Sequence, residues 1–440
     1  MLAQRLSALL LPALLAACAH QAQPLNEATP QPSACPSGFS ADIRCLGGRD
    51  SAGAFYLIAM PKDWNGHLVL HAHGGPLLGA PTAKRVEEDL IRWSIMPRAG
   101  YAWAASSFRQ GGVEVRAAAE DTERLRRIFV QHVAKPQLTF LHGQSWGASV
   151  AAKGGEMFTR GKPYAALMLS NGVIGGGTRS YDFRLDLRVV YQYLCNNHPR
   201  PDEPQYPLWQ GLPEGSPLTR ADLAQRSKDC LGLGLPAAER STEQARKLKT
   251  IVDVIRIPES SVLGHLNWAT FHFQDISSKR TQGRNVFSNI GVVYRGSDND
   301  AALNAGVLRY AADPAAVAHF GADTDPNGNI PVPVLAVHGI DDPIAFVELE
   351  SVWAATMARA GRADGLVQAF TGDNNHSYLS DATYVSALAG LTAWVQQGRK
   401  PTPVTLEAGC KLAQAKFPSP CRFKPDYRPA TLENRVPARR

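Results

Sequence analysis

The chain has no apolar run long enough to cross a bilayer, no C-x-x-C pair, no internal repeat and, outside 435–440, no dense block of one charge. Each absence closes a class. Without a long apolar run, the body of the chain is not an integral membrane protein of the helical kind. Without C-x-x-C there is no support for a zinc ribbon or a thioredoxin-like centre. Lys and Arg outnumber Asp and Glu by 46 to 39, a net charge of +7, but they are dispersed, and this argues against a nucleic-acid partner. The one basic cluster, at 435–440, is expected to be a solvated tail. His71 and His73 fall on one face of a strand pattern but lack a third ligand at a metal-site spacing, so no metal and no organic cofactor is expected.

What is present begins at the N-terminus. Residues 1–5 carry positive charge, 6–15 are apolar, and Leu15-Ala16-Ala17-Cys18 ends in small residues before a cysteine. This resembles the bacterial lipoprotein signal, which implies that residues 1–17 are removed and Cys18 is lipidated. An ordinary secretory signal is the alternative, and both readings export the chain, to the cell envelope as a lipoprotein or to the periplasm or medium. Membrane contact is then expected only through a lipid on Cys18. Residues 18–33, rich in Pro, Gln and Thr, read as a flexible tether. Six cysteines remain, and in an oxidising compartment the simplest pairing is Cys35 with Cys45, Cys195 with Cys230, and Cys410 with Cys421.

The body has a globular composition, 44% hydrophobic and 19% charged. Short apolar runs at 55–60, 67–71, 101–106, 138–142 and 165–170 read as strands, and 113–132 and 149–158 as helices. The alternation predicts a mostly parallel sheet covered on both faces, the α/β class. Residues 176–328 break the rhythm with polar, turn-rich pieces and read as an inserted cap. The rhythm returns with strands at 332–338 and 366–371 and helices at 345–360 and 382–396. The expected organisation is therefore a core of 34–175 and 329–400, a cap at 176–328 and a C-terminal tail at 401–440 lying on the core.

The sharpest motif is Gly143-Gln144-Ser145-Trp146-Gly147, a G-x-S-x-G placed directly after an apolar strand and directly before a helical run. That context is what a serine nucleophile on a strained strand-to-helix turn requires. Upstream, His73-Gly74-Gly75-Pro76 follows another strand. Together these resemble the α/β-hydrolase superfamily over roughly 55–174 and 331–397, and within it the proline iminopeptidase branch. The resemblance implies an α/β-hydrolase fold with Ser145 as nucleophile, His376 in the loop after the last strand as base, and an acid after the preceding strand. Of the adjacent Asp341 and Asp342, the family spacing after Gly339 selects Asp342. It also implies an oxyanion hole from the N–H of Trp146 and an N–H of Gly75 or Leu77, since Pro76 has none.

Three functions compete at this point. The first is cleavage of a small-molecule carboxylic ester through an acyl-enzyme on Ser145. The second is an aminopeptidase acting on short peptides, which needs an acid in the cap; Glu239 and Glu243 would share one face of a helix there. The third is a non-catalytic envelope binding protein, against which the complete Ser, Asp and His set argues.

Overall fold

The computed structural model describes residues 26–439, so the expected signal segment 1–17 and Cys18 lie outside the described residues. Nine strands form one sheet in the order β1-β2-β3-β5-β4-β6-β7-β8-β9. They are β1 (Gln31–Ser33), β2 (Ile43–Arg49), β3 (Phe55–Pro61), β4 (His67–Ala72), β5 (Ala102–Ser106), β6 (Leu138–Gln144), β7 (Ala166–Ser170), β8 (Val334–Gly339) and β9 (Leu366–Thr371). The first three strands pair antiparallel, as do β3 and β5; every other pair, from β5 across to β9, is parallel. Leaving out the short edge strand β1, this is the strand order and mixed-to-parallel pattern of the α/β-hydrolase fold, as expected.

Strand side chains alternate between two buried layers. Leu68, Leu70, Leu141, Leu167 and Leu169 face the helices Val115–His132, Trp146–Met157 and Leu349–Arg359 through Leu125, Phe129, Ala151, Trp353 and Met357. Val69, Phe140, Met168, Leu335 and Val337 face the other side, under the helices Ala83–Arg92 and Asp381–Gln397. With both faces covered, the central strands are apolar along their whole length, which is why they are legible as continuous runs.

Three expectations change. The last residues of the expected tether, Gln31–Ser33, form strand β1 against β2, and Glu27 accepts hydrogen bonds from Ser51. Strand β2 and the helix Ala83–Arg92 were absent from the sequence reading. Arg435 and Arg439 are not solvated: Arg435 pairs with Glu348 at 2.9 Å, and Arg439 reaches Asp186 at 2.6 Å and Asp182 at 3.6 Å. Two acids buried on one helix need a counter-ion, and the tail supplies it.

The tail also covers the edge of β9, through Gly372 N–H to Arg422 O and Lys424 N–H to Phe370 O, both at 2.8 Å. Disulfides join Cys35 to Cys45, Cys195 to Cys230 and Cys410 to Cys421. Between β7 and β8 the chain is helical, with Asp182–Cys195, Thr242–Ile255 and Glu259–Asn267 around a core of Leu185, Leu187, Ile251 and Phe273. That core continues into the main unit through Phe346, Leu349 and Val352. This helical segment reaches over the carboxyl ends of the parallel strands, the edge where open α/β sheets place ligands.

Candidate active site

Ser145 lies between the end of β6 and the helix Trp146–Met157, with φ 56° and ψ −124°. A non-glycine residue in that region is strained, and the turn that imposes it lifts the side chain above the sheet edge. The flanking glycines have steric reasons: a Cβ on Gly147 would overlap the Ala72 carbonyl of β4, and one on Gly143 would overlap Gly147. The helix therefore packs closer to the sheet than any side chain would permit.

The three residues singled out in the sequence meet. His376 Nε2 is 2.7 Å from Ser145 Oγ, and His376 Nδ1 is 2.7 Å from Asp342 Oδ2. A carboxylate beside Nδ1 assigns the proton to that nitrogen and leaves Nε2 to accept from the serine hydroxyl. Asp342 is itself held by the N–H groups of Ile344 and Ala345, which donate to Oδ1 at 2.8 and 3.0 Å. The neighbouring Asp341 is exposed and takes no part in this array.

Behind Asp342 stands a group that the sequence reading missed. His338 is fully buried, with Nε2 2.9 Å from Ala345 O, Nδ1 3.0 Å from Glu350 Oε1, and Nε2 3.8 Å from Asp342 Oδ2. Burial by itself disfavours its charge. The Glu350 hydrogen bond, the charges of Glu350 and Asp342, and the Ala345 carbonyl more than offset that, so its pKa lies above the usual value. Acceptors at both nitrogens favour the doubly protonated ring. No sequence signal marks this pair, because His338 reads as an ordinary strand residue and Glu350 as a helix-surface acid.

Two amides position the histidine loop, and neither was expected. Asn171, just past β7, donates Nδ2–H to the carbonyls of Asn375 at 3.1 Å and His376 at 2.9 Å, while its Oδ1 accepts from Gly339 N–H at 2.8 Å. Gln144 Nε2 donates to the His376 carbonyl at 2.8 Å. The variable position of G-x-S-x-G and the end of β7 thus fix the loop that carries His376.

Ser145, Trp146, Gly75 and His376 line one cavity of about 280 Å³. As the first residue of its helix, Trp146 has an N–H with no partner inside the helix. Gly75, at φ 67°, stands across from it. Leu77 lines a separate small recess beside Phe108 and Gly111. Of the two expected donors, Gly75 is the one that shares the cavity with Ser145. From above, neutral His272 donates Nε2–H to Pro76 O at 2.9 Å. Burial pushes its pKa down to about 4.

The other cavity walls come from Val173, Tyr181, Arg184, Trp268, Arg85 and Arg92, with no Asp or Glu among the lining residues. Trp268 begins a stretch, Trp268–His272, where the helix widens into a π turn, a distortion frequent at functional sites. Trp268 and Tyr181 are the aromatic residues that the segment between β7 and β8 contributes to the cavity, whereas Tyr191 and Phe273 are buried in that segment's own core. Glu239 and Glu243 do not share a helix: Glu239 ends a short 3₁₀ turn, and Glu243 opens Thr242–Ile255, where it pairs with Arg246. The histidines once weighed as metal ligands part company. His71 abuts His142, Nδ1 to Nδ1 at 3.0 Å, and His73 stacks on Phe108.

No known family model matches the chain, and no curated protein sequence matches it. Among solved structures it is similar to an esterase from Aspergillus oryzae, at 14% identity, covering 84% of each chain with a TM-score of 0.44. It is similar to feruloyl esterase B from Aspergillus oryzae at 12% identity, covering 87% of this chain and 89% of that one, TM-score 0.45. A third is a rice cell wall degrading esterase, LipA, from Xanthomonas oryzae, at 12% identity over 89% and 97% of the two chains, TM-score 0.39.

Proposed function

We propose that this chain is a serine hydrolase cleaving carboxylic esters through an acyl-enzyme on Ser145. The observation that carries the reading is the continuous array from Asp342 through His376 to Ser145, with both links at 2.7 Å, opening into a cavity. In this mechanism His376 Nε2 takes the Ser145 proton as Oγ attacks the acyl carbonyl, and Asp342 stabilises the imidazolium that forms. The N–H groups of Trp146 and Gly75 receive the oxyanion, each such donor contributing about 3 kcal/mol in the transition state. His376 then protonates the departing alcohol, and water, deprotonated by the same ring, releases the acid.

The cavity composition favours an ester over a peptide with a free N-terminus. An aminopeptidase must hold an ammonium group, and these walls present arginines and no carboxylate. Three disulfides support export to an oxidising compartment, in keeping with the signal-like N-terminus.

The test is hydrolysis of a chromogenic ester series and of prolyl and alanyl anilides by the protein lacking its first 18 residues, beside Ser145→Ala. Ester turnover should fall by a factor on the order of 10⁶ in the variant. Turnover that survives the substitution would refute the role of Ser145, and preferential prolyl-anilide cleavage would replace the esterase with the peptidase.

A further inference from the structure

Arg184 projects from the cap helix Asp182–Cys195 into the wall of the cavity above Ser145, and its surroundings leave the charge unanswered. The side chain is buried, with only 3% exposed. Its guanidinium makes no ion pair among the described residues. Nη1 donates to Ser180 O at 3.3 Å, a long bond, and Nε is buried with no partner. The rings of Trp268, Phe183 and Tyr181 lie 4.4, 4.6 and 5.4 Å from its central carbon. They offer their faces and accept no conventional hydrogen bond. The acids of the same helix, Asp182 and Asp186, are engaged by Arg439. Burial lowers the Arg184 pKa to about 10, so the group is charged at neutral pH.

A buried, charged fork with most of its donors unused is costly to keep unless something binds it. The remaining lining charges agree in sign. Arg92 stands exposed on the cavity wall without an ion pair among the described residues, whereas Arg85 is committed to Asp89 at 3.1 Å and to Gly74 O at 2.8 Å. Planar guanidinium donors match a carboxylate in bidentate fashion.

We propose that the ester cleaved at Ser145 carries a carboxylate, seated on Arg184 where it meets the cavity beside Trp268 and Tyr181, with Arg92 drawing the anion into the cavity. This rests on the esterase reading for the reaction, but the anion site itself is independent of turnover.

Two measurements separate the two claims. The first is binding of glutarate to Ser145→Ala protein, followed by calorimetry and by tryptophan fluorescence, with the neutral diamide of the same acid as control. Glutarate should bind at least tenfold more tightly than the diamide, and Arg184→Met should remove the difference. The second is kcat/KM for monomethyl glutarate against methyl butyrate. The charged ester should lead by tenfold or more, the ratio should collapse in Arg184→Met, recover in part in Arg184→Lys, and fall less in Arg92→Gln.

Ser145-dependent cleavage of the neutral ester with no preference for the charged one overturns the proposal and leaves the esterase standing. Arg184-dependent glutarate binding without ester turnover supports the anion site and sinks the esterase. Equal binding of glutarate and diamide overturns the site outright. Should Arg184→Met not fold, the native preference and the exposed Arg92→Gln variant still decide.

Discussion

Replacing Asn171 by aspartate isolates the contacts that hold the histidine loop. Asparagine at φ 44° occupies the left-handed region, which aspartate also tolerates, so backbone strain is unchanged. One side-chain oxygen is kept to accept from Gly339 N–H, and β8 stays tied to β7. The two bonds donated to the carbonyls of Asn375 and His376 disappear, and a carboxylate oxygen takes the place of the amide nitrogen beside both. At about 1 kcal/mol for each lost bond, positioning of His376 weakens by about 2 kcal/mol before repulsion is counted. Each 1.36 kcal/mol is tenfold in rate, so kcat on a neutral ester should fall by about 30-fold or more. Gln144, which still donates to the His376 carbonyl, prevents complete release of the loop. KM should move little, because Asn171 does not line the cavity. Steady-state kinetics with thermal unfolding as a control for folding is the assay. A folded Asn171→Asp protein with kcat within threefold of native would refute the assignment of the loop geometry to this side chain.

Two predictions concern stability. Arg439→Ala leaves Asp186 and Asp182 buried without their counter-ion, and breaking such a pair costs about 3 kcal/mol, to be read as a lower denaturant midpoint. An unchanged midpoint would mean that the tail does not hold the cap. Acid should also destabilise the fold through buried neutral histidines. Burial lowers His73 and His142 to about 3 and His272 to about 4. The unfolded chain gains protons at these positions below the usual histidine value of about 6.5 while the folded one does not. Each therefore removes about 1 kcal/mol of stability per pH unit from there down to its folded pKa. His338 has the opposite sign: its pKa is raised, so its contribution is complete below 6.5 and is lost as pH rises through the folded value. Burial raises Asp182 to about 7 and Asp89 and Asp121 to about 6, which opposes this loss between pH 7 and 5.5. Histidine titration followed by NMR at pH 5.5 should therefore find His73, His142 and His272 uncharged, and charged rings there would refute their neutral state.

The sequence by itself determined the central sheet and the order in which Ser145, Asp342 and His376 follow its strands. Buried parallel strands such as β6 and β7 must be apolar on both faces, and a serine on a strained turn needs glycines at fixed offsets, so both requirements are written locally. The choice of Asp342 over Asp341 came from the resemblance to the α/β-hydrolases, and the pairing of near-neighbour cysteines from their positions in the sequence. Strand β2, paired between β1 and β3, escaped notice because Gly47 and Gly48 dilute its pattern. The supporting shell was illegible for a related reason. Asn171, Gln144, His338 and Glu350 act across separations of 12 to 232 residues, and no local spacing encodes such meetings. The arrangement that decided most was that of the arginines. Arg184 and Arg439 look alike as dispersed charges in the chain. Only the tertiary packing pairs Arg439 with two acids and leaves Arg184 buried, without an ion pair, on the wall of the cavity that Ser145 lines.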